Sequence, residues 1–400
     1  MKPFNCSVKN LTSQHHFNMS EVKNIPGLRF PEFDKNWDKT VLQNVCEVNP
    51  RSTELPNSFV YIDLESVNSG KLLFQNKILK DGSPSRAQRL LESGDIIYQT
   101  VRPYQKNNYL FDLEGDYVAS TGYAQLRSKQ NNSFLYQLLH TEKFVNRVLL
   151  RSTGSNYPAI NSSDLKKITF DIPSLPEQQK IADFLTAVDK RIELLEKKKT
   201  RLETYKKGVM KKIFNQEIRF KDDSGNDFPD WEEKRLGEVC KIQKGKQLNK
   251  SELIDTGEYP AINGGINPSG YTDEWNTVAD TITISEGGNS CGYVNYIKTN
   301  FWCGGHCYSL LEIQNYLQKV YLFEYLKFRE SSIMNLRVGS GLPNIQKREI
   351  DSFHILIPSI NEQKTISSFL STIGNQIELL ETQIEKSKTW KKGLLQKMFV

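Results

Sequence analysis

The sequence predicts an α+β protein in which two α/β globular domains are joined by two long helices forming an antiparallel coiled coil, a pseudo-two-fold internal repeat. Three observations carry this expectation. Residues 172–214 (IPSLPEQQKIADFLTAVDKRIELLEKKKTRLETYKKGVMKKIF) align without a gap to residues 357–399 (IPSINEQKTISSFLSTIGNQIELLETQIEKSKTWKKGLLQKMF), with about 19 identities over those positions. Both segments carry apolar residues at heptad spacing, the signature of a coiled coil. The stretches before them hold short β-branched or aromatic runs bounded by Gly, Asn and Asp, which read as strands.

The repeat reaches upstream in the same register. Gly154-Ser155-x-x-Pro158-x-Ile160 matches Gly339-Ser340-x-x-Pro343-x-Ile345, and Trp37, Leu42, Val45 and Cys46 match Trp231, Leu236, Val239 and Cys240. Arg29-Phe30 and Arg219-Phe220 open the two copies. Between these anchors Ser69–Arg127 and Gly245–Leu310 share little beyond apolar spacing. Strands are expected at Phe59–Ile62, Asp95–Tyr98, Thr281–Ile284 and Gly292–Ile297, and amphipathic helices at Phe134–Leu150 and Tyr316–Asn335. In the first long helix Ile181, Val188, Leu195, Leu202 and Val209 recur every seven residues, with Leu185, Ile192 and Ile213 on the neighbouring seam. The second gives Ile366, Ile373, Leu380 and Leu394, with Leu370, Ile377, Ile384 and Met398 alongside. Lys199 and Ser387 depart from the apolar seam. Pro176-Glu177 suits a helix start, since proline fits the first turn and an acid favours the positive end of the dipole. At ~1.5 Å per residue each helix makes a rod of about 55 Å.

A chain of 400 residues with 53 Lys plus Arg against 47 Asp plus Glu is long enough for two or three cores and only mildly basic. No apolar run approaches the ~20 residues a bilayer span needs. The first thirty residues lack a secretory h-region, and six Cys do not make a disulfide framework in a chain this long, so a cytoplasmic setting is expected. Residues 1–18, ahead of Met19, read as a flexible extension or a misassigned start.

Enzyme signatures are few. Lys244-Gly245-Lys246-Gln247 lacks the spacing and the Ser/Thr of a phosphate loop, and Asn49-Pro50-Arg51 does not continue as an adenine-methylating motif. The acids of Pro229-Asp230-Trp231-Glu232-Glu233-Lys234 lie too close together for a nuclease cluster and fall on the duplicated domain start. Cys303-Gly304-Gly305-His306-Cys307 with Cys291 offers four zinc-type ligands. The first copy has Ala119 and Tyr123 where Cys303 and Cys307 stand, which favours buried structural cysteines. No catalytic and no metal-ligating residues are assigned.

The loops point instead to nucleic acid, because base edges are read by Arg, Lys, Asn and Gln held on a rigid scaffold. In the first copy the candidates are Arg86, Gln88, Arg89, Arg102, Gln105, Lys106 and Asn107; in the second they are Lys244, Lys246, Gln247, Asn249, Asn289 and Lys347. The long helices account for the net positive charge: Glu177–Phe214 has 11 basic and 6 acidic residues, Glu362–Phe399 has 6 and 4. The globular parts are thus close to neutral. Tight DNA binding by the chain alone is not expected, given how much affinity phosphate neutralisation supplies.

The duplicated Ile-Pro-x-x-x-Glu-Gln-x-x-Ile-x-x-Phe-Leu element, the Glu-Leu-Leu-Glu heptads and the closing Lys-Lys-Gly-x-x-x-Lys-x-Phe resemble the specificity subunit of type I restriction–modification systems, over residues 29–400. The resemblance implies a flexible extension at 1–28, a target recognition domain at 29–175, a central coiled-coil helix at 176–218, a second target recognition domain at 219–360 and a C-terminal coiled-coil helix at 361–400. Each recognition domain would read one half of a bipartite asymmetric target in double-stranded DNA, with the helices fixing the spacer. It also implies a non-catalytic chain that docks two modification (methyltransferase) subunits and two restriction subunits, with Ile181, Val188, Leu195, Leu202, Val209, Ile366, Ile373, Leu380 and Leu394 on the partner-binding and coiled-coil seam. Those partners would supply adenine N6 methylation with S-adenosylmethionine, and restriction with ATP and Mg. No cofactor would bind this chain itself. Two other classes stay open at this point: an enzyme with an unrecognised site, and a coiled-coil adaptor that does not touch DNA.

Overall fold

The computed structural model describes residues 24–52, 54–339, 341 and 343–400. The expected extension at residues 1–18 lies outside them. Residues 24–28, expected to be flexible, are tied down: Asn24 Nδ2 donates to the Trp37 carbonyl at 3.0 Å and to Asp171 at 2.8 Å, and Leu28 N donates to the Lys397 carbonyl at 2.8 Å.

The chain forms two compact units, residues up to Leu194 with Ile384–Val400, and Leu195–Gln383. In the first unit run β1 (Asp38–Val41), α1 (Leu42–Val45), β2 (Cys46–Val48), β3 (Ser58–Ile62), β4 (Val67–Asn68), β5 (Lys71–Leu72), β6 (Asn76–Leu79), β7 (Ala87–Leu90), β8 (Ile96–Gln99), β9 (Tyr109–Leu110), β10 (Tyr117–Ser120) and β11 (Tyr123–Ser128). Then come α2 (Asn132–Leu139), α3 (Glu142–Leu149), α4 (Ser162–Lys166), β12 (Thr169–Ile172) and the long α5 (Leu175–Phe214). The second unit holds β13 (Glu232–Arg235), α6 (Leu236–Val239), β14 (Lys241–Lys244), β15 (Tyr259–Ile262), β16 (Gly270–Thr272), β17 (Thr281–Ser285), β18 (Val294–Ile297), β19 (Trp302–Cys303) and β20 (Cys307–Leu311). It closes with α7 (Lys319–Phe328), α8 (Glu330–Met334), α9 (Lys347–Asp351), β21 (His354–Ile357) and the long α10 (Ile360–Lys397).

The two units share a sheet plan. Strand order β2-β11-β8-β9 in the first matches β14-β20-β17-β18 in the second, and β1-β12 matches β13-β21. A further sheet, β6-β3-β10-β7, is cut down to β16-β15-β19. In each it contains a parallel pair, with Ile62 beside Ala119 and Ile262 beside Cys303. The first unit adds β7 and the β4-β5 hairpin. The register therefore puts Cys303 in the place of Ala119, while Tyr123 opposite Gln99 matches Cys307 opposite Ser285. Cys303 and Cys307 are both buried, and the described cysteines are free thiols.

Each expected helix ahead of the Gly-Ser element is two helices. Thr141 accepts from Phe144 N at 3.2 Å and so caps a new helix inside Phe134–Leu150. In the second unit the break falls at Arg329, between α7 and α8.

The long helices start in the same way. Glu177 is buried in the first turn of α5 and takes two hydrogen bonds from Arg29, each of 2.7 Å, plus one from Trp37 Nε1 at 3.2 Å. Glu362, fully buried in α10, takes Arg219 at 3.2 and 2.8 Å and Trp231 Nε1 at 3.0 Å. Two hydrogen-bonded cations or dipoles per carboxylate are what a buried acid requires. Gln178 and Gln363 then donate to the Pro173 and Pro358 carbonyls. The duplicated Arg-Phe, Trp and Glu-Gln elements are thus parts of one anchor, made twice.

Within the first unit the opening turns of α5 (Ile181, Leu185, Val188, Ile192) share a core with the closing turns of α10 (Leu394, Met398), an antiparallel pairing. Within the second, Met210 and Ile213 of α5 share a core with Ile366 and Leu370 of α10. Ile373 and Leu380 are buried; Leu195, Leu202 and Val209 are half-buried. Lys199, out of pattern on the seam, meets Glu381 at 2.8 Å. The closing phenylalanines act as plugs: Phe399 packs on Trp37 and Phe134, Phe214 on Tyr321 and Phe328.

Candidate nucleic-acid interface

Each unit carries a matched pair of loops, one following β8 or β17 and the other the Gly-Ser-x-x-Pro segment between two helices. In the first, the residue after Val101 is Arg102, in the left-handed region with φ 54°. Its N–H donates to the Pro158 carbonyl at 2.7 Å, and Ile160 N donates to the Thr100 carbonyl at 3.0 Å. In the second, Gly288 (φ 76°) donates to the Pro343 carbonyl at 3.1 Å, and Ile345 N to the Glu286 carbonyl at 2.8 Å. The proline of each Gly-Ser-x-x-Pro element therefore holds the loop that follows the central strand, β8 or β17. A left-handed conformation costs a non-glycine residue roughly 1–2 kcal/mol, and Arg102 carries that cost where the other copy has glycine.

In the first unit the turn Arg102–Lys106 is short and stiff, closed by a second left-handed residue, Lys106 (φ 55°). The Arg102 guanidinium lies 4.2 Å above the ring of Tyr157, which is 61% exposed. Tyr104 is also exposed on the turn. Beneath it, Gln99 is buried and donates Nε2 to Gln105 at 2.8 Å, and its backbone N donates to Asn108 at 2.9 Å. Asn107 accepts from Ser69 N at 3.1 Å, tying the turn to the β4-β5 hairpin, and the two enclose a groove lined by Glu65, Asn68, Ser69, Gln105 and Asn107 with Leu64, Val67 and Leu73. His140 braces the same region: Nδ1 donates to the Tyr136 carbonyl at 2.7 Å and Nε2 faces Asn108 at 3.5 Å. Burial drives its pKa down to about 4, so the ring is neutral at physiological pH.

In the second unit the loops converge on a buried acid. Glu286 takes Lys244 Nζ at 2.5 Å and Tyr308 Oη at 3.1 Å, with His306 Nδ1 at 3.5 Å from its other oxygen. Burial works to raise this carboxyl, but the donors outweigh it and hold it below the ordinary carboxylate value. Ser285 and Ser290 hydroxyls both donate to the Gly264 carbonyl, drawing in the Asn263–Asn267 loop. Gly245 is required by close approach: a Cβ there would overlap the Cys303 and Gly304 carbonyls.

The family described as type I restriction modification DNA specificity domain matches residues 34–204 and again 229–388. The chain belongs to this family. A Mycoplasma pneumoniae protein provisionally named a type I specificity subunit is 34% identical over 171 residues, 42% of this chain and 45% of that protein, so the match spans under half of the relative. A Methanocaldococcus jannaschii chain, provisionally named a type I restriction enzyme specificity subunit, is 29% identical over 94% of both chains. The crystal structure of the type I restriction-modification S subunit from M. genitalium superposes with a TM-score of 0.65 at 19% identity, covering 94% of this chain and 99% of that one, a likeness of fold.

The two specificity domains bring together most of the candidate residues. In the first domain Arg102, Gln105, Lys106 and Asn107 share one turn; Arg86 is joined to it through Thr121, whose N–H donates to the Arg86 carbonyl next to the Gly122 carbonyl that receives Thr100. Gln88 is folded back onto the Ser85 carbonyl, and Arg89 turns inward with Nε buried and unpartnered. Lys106 is paired with Glu142 at 2.7 Å. In the second domain Lys244, Lys246, Gln247 and Asn249 run along one segment, where Lys246 N bonds the Cys303 carbonyl and Asn249 N bonds Glu252. Asn289 is exposed beside Gly288. Lys347 stands apart on α9, paired with Asp351 at 2.6 Å. Sequence reasoning missed Tyr157 and the buried role of Glu286. The only sequence signal for Tyr157 was its place inside the Gly-Ser-x-x-Pro element. Among the described residues no group of three or more His, Cys, Asp and Glu could hold a metal ion, and no helix is long and apolar enough to cross a membrane.

Proposed function

We propose that the chain is the DNA-reading component of a type I restriction–modification complex, each specificity domain reading one half of a bipartite asymmetric target. What carries the reading is the matched loop pair: the same backbone bonds recur in both domains, while the side chains they display differ, Arg102 and Tyr157 against Gly288 and Asn289. A scaffold repeated with different displayed groups is what two different half-sites call for. The paired helices would set the spacer and dock two modification and two restriction subunits. S-adenosylmethionine, ATP and Mg would belong to those partners, and the chain itself would perform no chemistry in its cytoplasmic setting. Near-neutral globular parts fit a component that binds DNA firmly only when partners add phosphate contacts.

Selection of random duplexes by the chain copurified with its modification subunits, at physiological salt, tests this. Two enriched blocks separated by a fixed, unselected spacer are expected. One contiguous block, or no enrichment by an assembled complex, would contradict it.

A further inference from the structure

We infer that Arg102 reads a guanine in the half-site of the first domain, with Tyr157 as the positioning residue that aims it; this rests on the DNA-reading function proposed above. Three observations converge. The backbone bonds at Arg102 are reproduced at Gly288 without any side chain, so the Arg102 side chain is not needed to build the loop pair. Arg102 nevertheless stands in the left-handed conformation that glycine adopts at no steric cost; six other described non-glycine residues share it, but of the seven only Arg102 is set over an exposed aromatic ring, and such outliers cluster at functional sites. Its charge is also unspent: Lys106, Arg127 and Lys244 each meet a carboxylate, whereas Arg102 has no acidic partner among the described residues and its guanidinium sits over an exposed ring, 4.2 Å from its centre.

A guanidinium stacked on an aromatic face keeps its edge N–H donors free and fixed in plane. That fork matches the O6 and N7 acceptors which guanine presents in the major groove. A backbone phosphate could accept the same fork, and it would be marked by equal weakening on every duplex instead of loss of preference at one base pair.

Arg102→Gly is the decisive variant, since glycine suits the backbone and its effect is not a folding defect. The chain assembled with its modification subunits would be measured against duplexes carrying every single-base change in the target found for the wild type, with thermal unfolding alongside. R102G is expected to lose about 5- to 150-fold in affinity for the cognate duplex, with preference abolished at one G·C pair of one half-site and kept at every position of the other. Replacing that guanine by 7-deazaguanine should weaken the wild type and leave R102G unchanged. Arg102→Lys, a point donor without the fixed fork, should weaken the preference at that base pair without abolishing it. Tyr157→Phe should keep it and Tyr157→Ala should relax it at the same base pair alone. Equal weakening on all duplexes, unaltered preference at every position, or a lowered unfolding temperature in R102G would overturn the assignment. A wild-type complex that selects no split target would instead remove the function on which it rests.

Discussion

The anchoring ends of the two specificity domains are nearly superimposable in chemistry, whereas their loop ends are not. At the anchors, Arg29, Trp37 and Glu177 repeat as Arg219, Trp231 and Glu362, with the same donors on the same buried carboxylate. At the loops, one domain has a strained arginine over a tyrosine and the other a buried glutamate holding Lys244. A buried acid tolerates few alternatives, because a lost partner leaves a charge in a low dielectric. A loop side chain facing water can be exchanged at little cost to the fold, provided the backbone bonds beneath it survive. Duplication kept the first kind of residue and let the second diverge.

The anchors give the largest expected effects. Glu177→Ala strands Arg29 and should destabilise the first unit by about 3–5 kcal/mol; Glu362→Ala should do the same to the second. Hydrogen exchange resolved by segment checks this, with each variant loosening its own unit. Equal loosening of both units by either variant would break the comparison.

Titration should separate the domains next. The folded-state pKa of His140 is depressed to about 4 by burial, below the unfolded value of 6.5. Its contribution is therefore complete above pH 6.5 and is lost as pH falls from there towards 4, on the order of 3 kcal/mol. The carboxyl of Glu286 is held below its usual value, so the second unit loses that contribution only as pH falls through the acidic range below 4.5. Exchange at pH 7 and pH 5 should show β9, α2 and the Arg102 turn opening first. His140→Gln should abolish that pH dependence.

A charge rearrangement gives the third contrast. Lys391 meets Asp189 at 2.5 Å in the first unit, where Gln137 also donates to the acid; Lys206 meets Glu324 at 2.7 Å in the second. The long-helix acid Asp189 has Gly374 as its sequence counterpart, and the acid has moved to the domain helix. Glu324 is nearly inaccessible and Asp189 is 37% exposed. Lys206→Met should thus cost about 3 kcal/mol and Lys391→Met below about 1 kcal/mol, measured by denaturant unfolding.

Much of this was legible in the sequence, for reasons the structure makes plain. The heptads and anchors were visible because burial fixes residue types at fixed spacing: Ile181 and Ile366 must be apolar wherever the helix is packed. The split of Phe134–Leu150 was hidden because Thr141 looks like any exposed threonine until it caps a helix. Candidate loop residues were identifiable by type, but not by what they do. Gln105, Asn107 and Lys244 are occupied inside the protein, and only geometry distinguishes them from Arg102. The cysteines were placed correctly beside Ala119 and Tyr123 because strand register preserves side-chain direction.

The smallest effects probe the loop pair. Arg102→Gly should stabilise the first unit by up to about 1 kcal/mol, and Gly288→Ala should cost the second about 1 kcal/mol although nothing crowds a Cβ there, both by thermal unfolding.

The most direct measurement is single-molecule methylome sequencing of cells carrying the chain with its modification subunit, compared with cells from which the gene for this chain is deleted. The account predicts a split motif with N6-methyladenine in both halves that disappears on deletion. An unchanged methylome with both proteins expressed would contradict it.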